Sequence, residues 1–256
     1  MQTKNRKILI NICLIGVFSA LSFVGVLINI PIPSPLGKPM IHLGNLVVVV
    51  VSLLFGGIIG GASGSIGMGL YDILNGYDIW SISRTIILKL AIGLIVGFIY
   101  HKIIKKQMKK PLFVLFITGA FLTLLGTTFL TLAISNNGTF TIEAINKTVT
   151  ITWPVYVFSL IIGLFLLFVG LLANKFSLKL QAAAIATSVA ICVNICGEFI
   201  YKVLKQMILG GSNFIHSVYL GFASIPSTLI NGGITLFIIL LIFIPIEQAV
   251  MKNIKR

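Results

Sequence analysis

The sequence predicts an all-α polytopic membrane bundle of about eight transmembrane helices, and three observations lead there. First, 57% of the 256 residues are hydrophobic and 9% are charged, where a soluble domain carries about a quarter charged residues. Second, the mean hydropathy is +1.11, and the apolar residues come in long unbroken runs, not in the alternation of a membrane β-barrel. Third, at about 20 apolar residues per span the length admits roughly eight spans and leaves no room for a soluble domain. A single integral membrane domain over 1–256 is expected.

The spans follow from hydropathy and breakers. The run 8–30, preceded by Lys4, Arg6 and Lys7, is longer than the 7–15 residues of a signal-peptide core and reads as the first helix. Span two covers 41–55, and Gly56-Gly57 turns the chain into span three, 58–74. Spans four and five cover 81–100 and 112–134. Span six covers 154–174 and opens on Trp153-Pro154; spans seven and eight cover 182–207 and 224–246. The polar stretch 135–152 suits an outer hairpin, and the proline-rich stretch 31–40 suits a lid above the outer face.

The net charge of +14, from 19 Lys and Arg against five acids, would suggest nucleic acid in a soluble protein. Here it follows topology. With both termini cytoplasmic, the basic clusters at 4–7, 102–110, 175–179 and 252–256 all fall inside, as the positive-inside rule requires. The expected environment is a bacterial cell membrane, with the lipid bilayer and not nucleic acid as partner.

Ionisable groups within the bilayer are expensive and therefore mark function. Lys89 lies inside span four and Glu198 inside span seven, with Asp72, Arg84 and Lys202 near outer ends. Spacing sharpens this. Asn194, Glu198, Tyr201, Lys202 and Lys205 share one face of span seven; Ser81, Thr85 and Lys89 share one of span four; Ser224, Thr228, Asn231 and Thr235 share one of span eight. At 1.5 Å per residue, Lys89 lies about 12 Å deep, Asn231 about 10 Å and Glu198 about 14 Å, all in the outer half. Lys89, Glu198 and Asn231 are expected to contact a ligand there, with Asn45, Asp72 and Trp80 near the mouth. A purely structural alternative pairs Glu198 with Lys202 at i, i+4 and Asp72 with Arg84 at the surface.

Other motifs are weaker. Gly56, Gly60 and Gly64, and Gly57 and Gly61, repeat every four residues, as do Gly16 and Ala20 in span one, and small residues at this spacing let helices approach closely. The chain has no P-loop and no H-E-x-x-H. Gly61-Ala62-Ser63-Gly64 matches the short motif of rhomboid proteases, but His42, His101 and His216 all lie at or outside span ends, so no embedded base is available. Cys13, Cys192 and Cys196 read as buried small hydrophobes. No cofactor, metal site or enzymatic activity is expected.

The blocks Ile41-His42-Leu43-Gly44-Asn45, the glycine-rich 54–67, Tyr71-Asp72-Ile73-Leu74-Asn75-Gly76-Tyr77 and Ile86-Ile87-Leu88-Lys89-Leu90 resemble the substrate-binding S components of energy-coupling factor (ECF) vitamin transporters. They look closest to the branch associated with queuosine precursors, hydroxymethylpyrimidine and pyridoxine-type vitamins. Gly197-Glu198-Phe199 and the segment 225–231 are similar to the family's late helices. The resemblance covers about 8–101 and 183–247, a six-helix core, and leaves 111–180 as an inserted helix pair. Asn45 stands where the family commonly has Asp, and Asn231 where Gln is frequent. The resemblance implies high-affinity binding of a vitamin or precursor from outside. It also implies docking on an ECF transmembrane subunit that carries two ATPase subunits, with Gly16 and Ala20 on the docking face, and toppling in the membrane to release substrate. The competing expectation is a self-contained secondary transporter with Glu198 and Lys89 as an ion or proton relay.

Overall fold

A computed structural model describes residues 2–31, 40–107, 113–135, 139–142, 147–150, 153–222 and 225–254. The described chain is a helical membrane bundle with a helix at each of the eight predicted positions. Helix α1 (Gln2–Leu27) leads into a short antiparallel hairpin, β1 (Asn29–Pro31) with β2 (Met40–His42). Helices α2 (Gly44–Phe55), α3 (Gly57–Leu74), α4 (Ile79–Lys106) and α5 (Phe113–Ser135) follow. A second hairpin, β3 (Thr139–Ile142) with β4 (Lys147–Thr150), precedes α6 (Trp153–Leu172) and a 3-10 turn at Ala173–Lys175. Helices α7 (Leu178–Ile208), α8 (Phe214–Phe222) and α9 (Ile225–Ile254) complete it.

Two boundaries differ from expectation for physical reasons. Span two was expected from 41, yet the helix starts at Gly44, because Met40, Ile41 and His42 pair with β1. At 12 residues α2 rises roughly 18 Å, less than the ~30 Å hydrocarbon layer. Non-helical backbone at that depth is tolerated where it lines a cavity, which is where β2 sits. Helix α8 was not expected. Its signal was legible: Asn213 follows Gly-Gly-Ser and its Oδ1 accepts the His216 N–H at 2.9 Å, an N-cap before an apolar run. The proline-rich stretch read as a lid lies, at 32–39, outside the described residues, as does Ser224.

Three long helices, Asn5–Leu27, Ile79–Lys106 and Leu178–Ile208, and the α8–α9 stretch Phe214–Val250 are long and apolar enough to cross a membrane. Helix α3 packs on α1, α2 and α4; α4 packs on α7, and α7 on α9. Ala182, Ala183, Ala184 and Ala186 are buried along α7, their small side chains letting that helix pass between its neighbours. Val48, Val96, Leu236, Ile239 and Phe243 fill the centre, and Tyr100 meets Phe243 edge-on at 5.5 Å. Ile12, Val17, Phe98, Leu164, Phe168 and Leu241 point outward, an apolar exterior suited to lipid. Helices α5 and α6 pack mainly on each other, at the side of the bundle against α7 and α9.

The glycine repeats are largely consumed inside. A Cβ on Gly57 or Gly61 would meet α4 backbone, one on Gly60 or Gly64 would meet Ser52 or Val48 of α2, and one on Gly67 would meet Ser19 of α1. Helix α3 therefore touches three neighbours through glycine. Gly16 behaves oppositely: it and Ala20 are exposed on α1, and nothing lies within 4 Å of a Cβ at Gly16.

Gly93→Ala should consequently cost about 1–3 kcal/mol, because its methyl would press on the Gly61 backbone of α3. Gly16→Ala should leave the detergent-solubilised melting temperature unchanged. Equal melting of both variants would contradict this packing.

Candidate functional site: a polar cavity between α4, α7 and α9

Helices α4 and α7 run antiparallel and face each other across a ladder of polar pairs. Asp78 meets Lys205 at 2.6 Å, Arg84 meets Glu198 at 3.0 Å, and Lys89 Nζ donates to Asn194 Oδ1 at 3.4 Å. The ladder descends from the rim toward the bilayer interior. Asp78 is half exposed, the Arg84 and Glu198 side chains are 17% and 14% exposed, and Lys89 is buried. The spacing of these residues along each helix is what places them on facing sides.

The ladder forms one wall of a cavity of about 370 Å³. His42 and Met40 of β2, Asn45 of α2, Asp72 of α3, and Thr228 and Asn231 of α9 contribute the others. The volume lies within the range of small-molecule sites. Exposed Asn75 and Asp78 mark its mouth, at the end where α4 and α9 begin and α7 ends.

Local structure holds each wall. Asp78 caps α4, its Oδ1 accepting the Trp80 and Ser81 N–H groups at 3.1 and 3.2 Å. Partial desolvation raises the Asp78 pKa. Hydrogen bonds from Lys205 and Ser81 outweigh it and hold the carboxyl at about 2, below its ordinary 3.8. The capping contact is therefore complete above about pH 4 and is lost only as pH falls through 2. Gly76, at φ +69, makes the turn that brings Tyr77 N–H back to Asp72 O at 3.0 Å. Asp72 Oδ2 accepts from Thr85 Oγ1 at 2.5 Å. The imidazole of His42 accepts the Gly44 N–H at Nδ1, 3.1 Å, which leaves its proton on Nε2 and the ring neutral.

Of the expected site residues, Lys89, Glu198, Asn231, Asn45 and Asp72 come together around this cavity. Trp80 does not line it; its ring stacks edge-on against Tyr201 at 5.7 Å, one residue from Lys202. The spaced faces of spans four and seven are recovered in Ser81, Thr85 and Lys89 and in Asn194, Glu198, Lys202 and Lys205. The structural alternative is not realised. Glu198 pairs across to Arg84 and not along its own helix to Lys202, and Asp72 bonds Thr85 and not Arg84. Sequence reasoning undervalued Arg84, placed only near a span end. Asn231 faces the cavity, but its amide is engaged at both ends with β2: Oδ1 accepts the His42 N–H at 2.9 Å and Nδ2 donates to Met40 O at 2.7 Å. It acts as one more strand position, holding the first hairpin over the cavity. Asn45 Oδ1 is buried without a protein partner.

Comparison with known proteins adds a family. The sequence model described as "ECF-type riboflavin transporter, S component" matches residues 8–167. That description names riboflavin, where the motifs resembled the precursor branch. A Pyrococcus woesei protein described as "Uncharacterized protein in gap 3'region" is 35% identical over 78 residues, 30% of this chain and 50% of that protein. The chain thus spans about half the length of that curated relative. No solved structure matches.

Arg84→Met should strip the part-buried Glu198 of its ion-pair partner and lower stability by about 1–3 kcal/mol. The double variant Arg84→Met/Glu198→Gln should recover most of that loss in the same thermal melt. Additive losses would mean the pair is not coupled.

Proposed function

The chain belongs to the S-component family of ECF-type riboflavin transporters, and from that premise we propose that it binds a vitamin in the cavity between α4, α7 and α9 for ATP-driven uptake. S components are substrate-binding subunits of transporters and not enzymes. The observation that carries the reading is a cavity of about 370 Å³ lined by convergent polar and charged side chains within an apolar helical bundle. Riboflavin is the vitamin in the family's name, and a flavin-sized molecule is the first ligand to test. Lys89, Glu198, Asp72 and Asn45 supply direct contacts in this reading. Asn231 serves by holding β2 as the roof, and Trp80 supports the rim through Tyr201.

The binding core is 8–101 with 183–247. Among the described residues, none that lines the cavity comes from α5 or α6, which supports reading that helix pair as standing beside the binding core, although the family match, 8–167, runs through most of it. The mouth faces outside and both termini face the cytoplasm, as the basic clusters favour. Energy comes from a partner membrane subunit with two ATPases, because the chain has no P-loop. That partner docks on the α1 face carrying Gly16 and Ala20, whose openness leaves room for a close helix crossing. A self-contained transporter would need Glu198 free to exchange a proton, and Arg84 occupies it.

Gly16→Leu and Ala20→Leu should reduce co-purification with the ECF membrane subunit at least tenfold while leaving ligand affinity within twofold. Uptake by this chain alone, collapsed by a protonophore, would instead establish the self-contained transporter.

A further inference from the structure

The polar ladder between α4 and α7 is incomplete at its deepest step. The two outer rungs are ion pairs, Asp78–Lys205 and Arg84–Glu198. The third sets the Lys89 ammonium against a neutral amide, Asn194, at a long 3.4 Å. Lys89 is 5% exposed and has three N–H donors, of which one is engaged among the described residues. Lys89 thus has no carboxylate within ion-pair distance among the described residues, at the buried step where the penalty on an unpaired charge is greatest.

The charge balance points the same way. Arg84 spends Nη1 on Glu198. Lys202, one turn above Glu198, makes no ion pair among the described residues. Asp72, the remaining carboxylate, is bonded to Thr85 and makes no ion pair there either. Arg84, Lys89, Lys202 and Lys205 line the cavity against Asp72, Asp78 and Glu198, with His42 neutral. One positive charge is left unmatched.

We propose that the ligand of this cavity is a vitamin-like compound carrying one carboxylate, which completes the third rung by accepting hydrogen bonds from Lys89. The inference rests on the cavity being a vitamin site and departs from neutral riboflavin. A carboxylate offers two oxygens and about four acceptor positions, enough for the two remaining Lys89 N–H donors. It brings one negative charge against one unmatched positive. A phosphate monoester brings up to two and would leave the cavity negative. The rest of the molecule would lie toward Asn45 and β2, where acceptors and apolar Met40 and Met68 line the wall.

The test is calorimetric titration of the purified full chain with matched acid and neutral probes. These are riboflavin with the acid made by oxidising its terminal CH2OH, nicotinamide with nicotinate, and biotin amide with biotin. Riboflavin 5′-phosphate is titrated alongside. The expected result is that in every pair that binds, the acid binds at least tenfold tighter than its neutral partner. Lys89→Met should abolish that preference and Lys89→Arg should retain it, with the ligand-free melt of each variant showing that it is folded. Equal or tighter binding of the neutral member, tighter binding of the phosphate, or an acid preference surviving in Lys89→Met overturns the carboxylate while leaving vitamin binding intact. Failure of every probe, acid and neutral, overturns the vitamin site itself and this inference with it.

Discussion

Everything about the cavity depends on keeping charge tolerable inside a bilayer. An isolated charge there costs several kcal/mol, so it must be paired, hydrogen-bonded or supplied with a partner from outside. The Arg84–Glu198 pair meets that constraint by joining two helices, and in doing so it fixes how α4 and α7 face each other. The capped start of α4 at Asp78 repeats the device at the rim with Lys205. A third pair, Lys179–Glu247 at 2.5 Å, ties the start of α7 to the far end of α9. Helix α7 is thus held by ion pairs near both ends, and between them it carries the polar face that lines the site.

The glycine-rich α3 has a complementary role. It has almost no side chain to offer where it meets α1, α2 and α4, so those helices close around it to backbone distance. That leaves Asp72, near its end, projecting into the cavity with Thr85 as partner. Helix α3 thus packs closely on its neighbours and still carries Asp72 to the polar cavity. The outward-facing small residues of α1 remain unused by this packing.

Much of this was legible in the sequence. Helix positions follow from apolar runs, and the faces lining the cavity follow from i, i+4 spacing, since an α-helix leaves little freedom about which residues align. Partner choice was not legible. Spacing makes Lys202 a neighbour of Glu198 as surely as tertiary structure makes Arg84 one, and only the packing of α4 against α7 decides between them. Asn231 illustrates the same limit. Its depth marked it as polar and buried, but that its amide would take both hydrogen-bonding groups of β2 depends on a hairpin nearly 190 residues away in sequence. Trp80 was placed at the mouth by position alone, and its ring went to Tyr201. The glycine repeats could not distinguish internal from external faces, which needs the neighbours themselves.

The central claim is that this hollow holds a small organic molecule. Native mass spectrometry of the protein as purified, wild type beside Glu198→Gln, tests it most directly. The account predicts one vitamin-sized molecule bound per wild-type chain and its loss from the folded variant. An empty wild-type chain, or the same molecule retained at equal occupancy in Glu198→Gln, would contradict it.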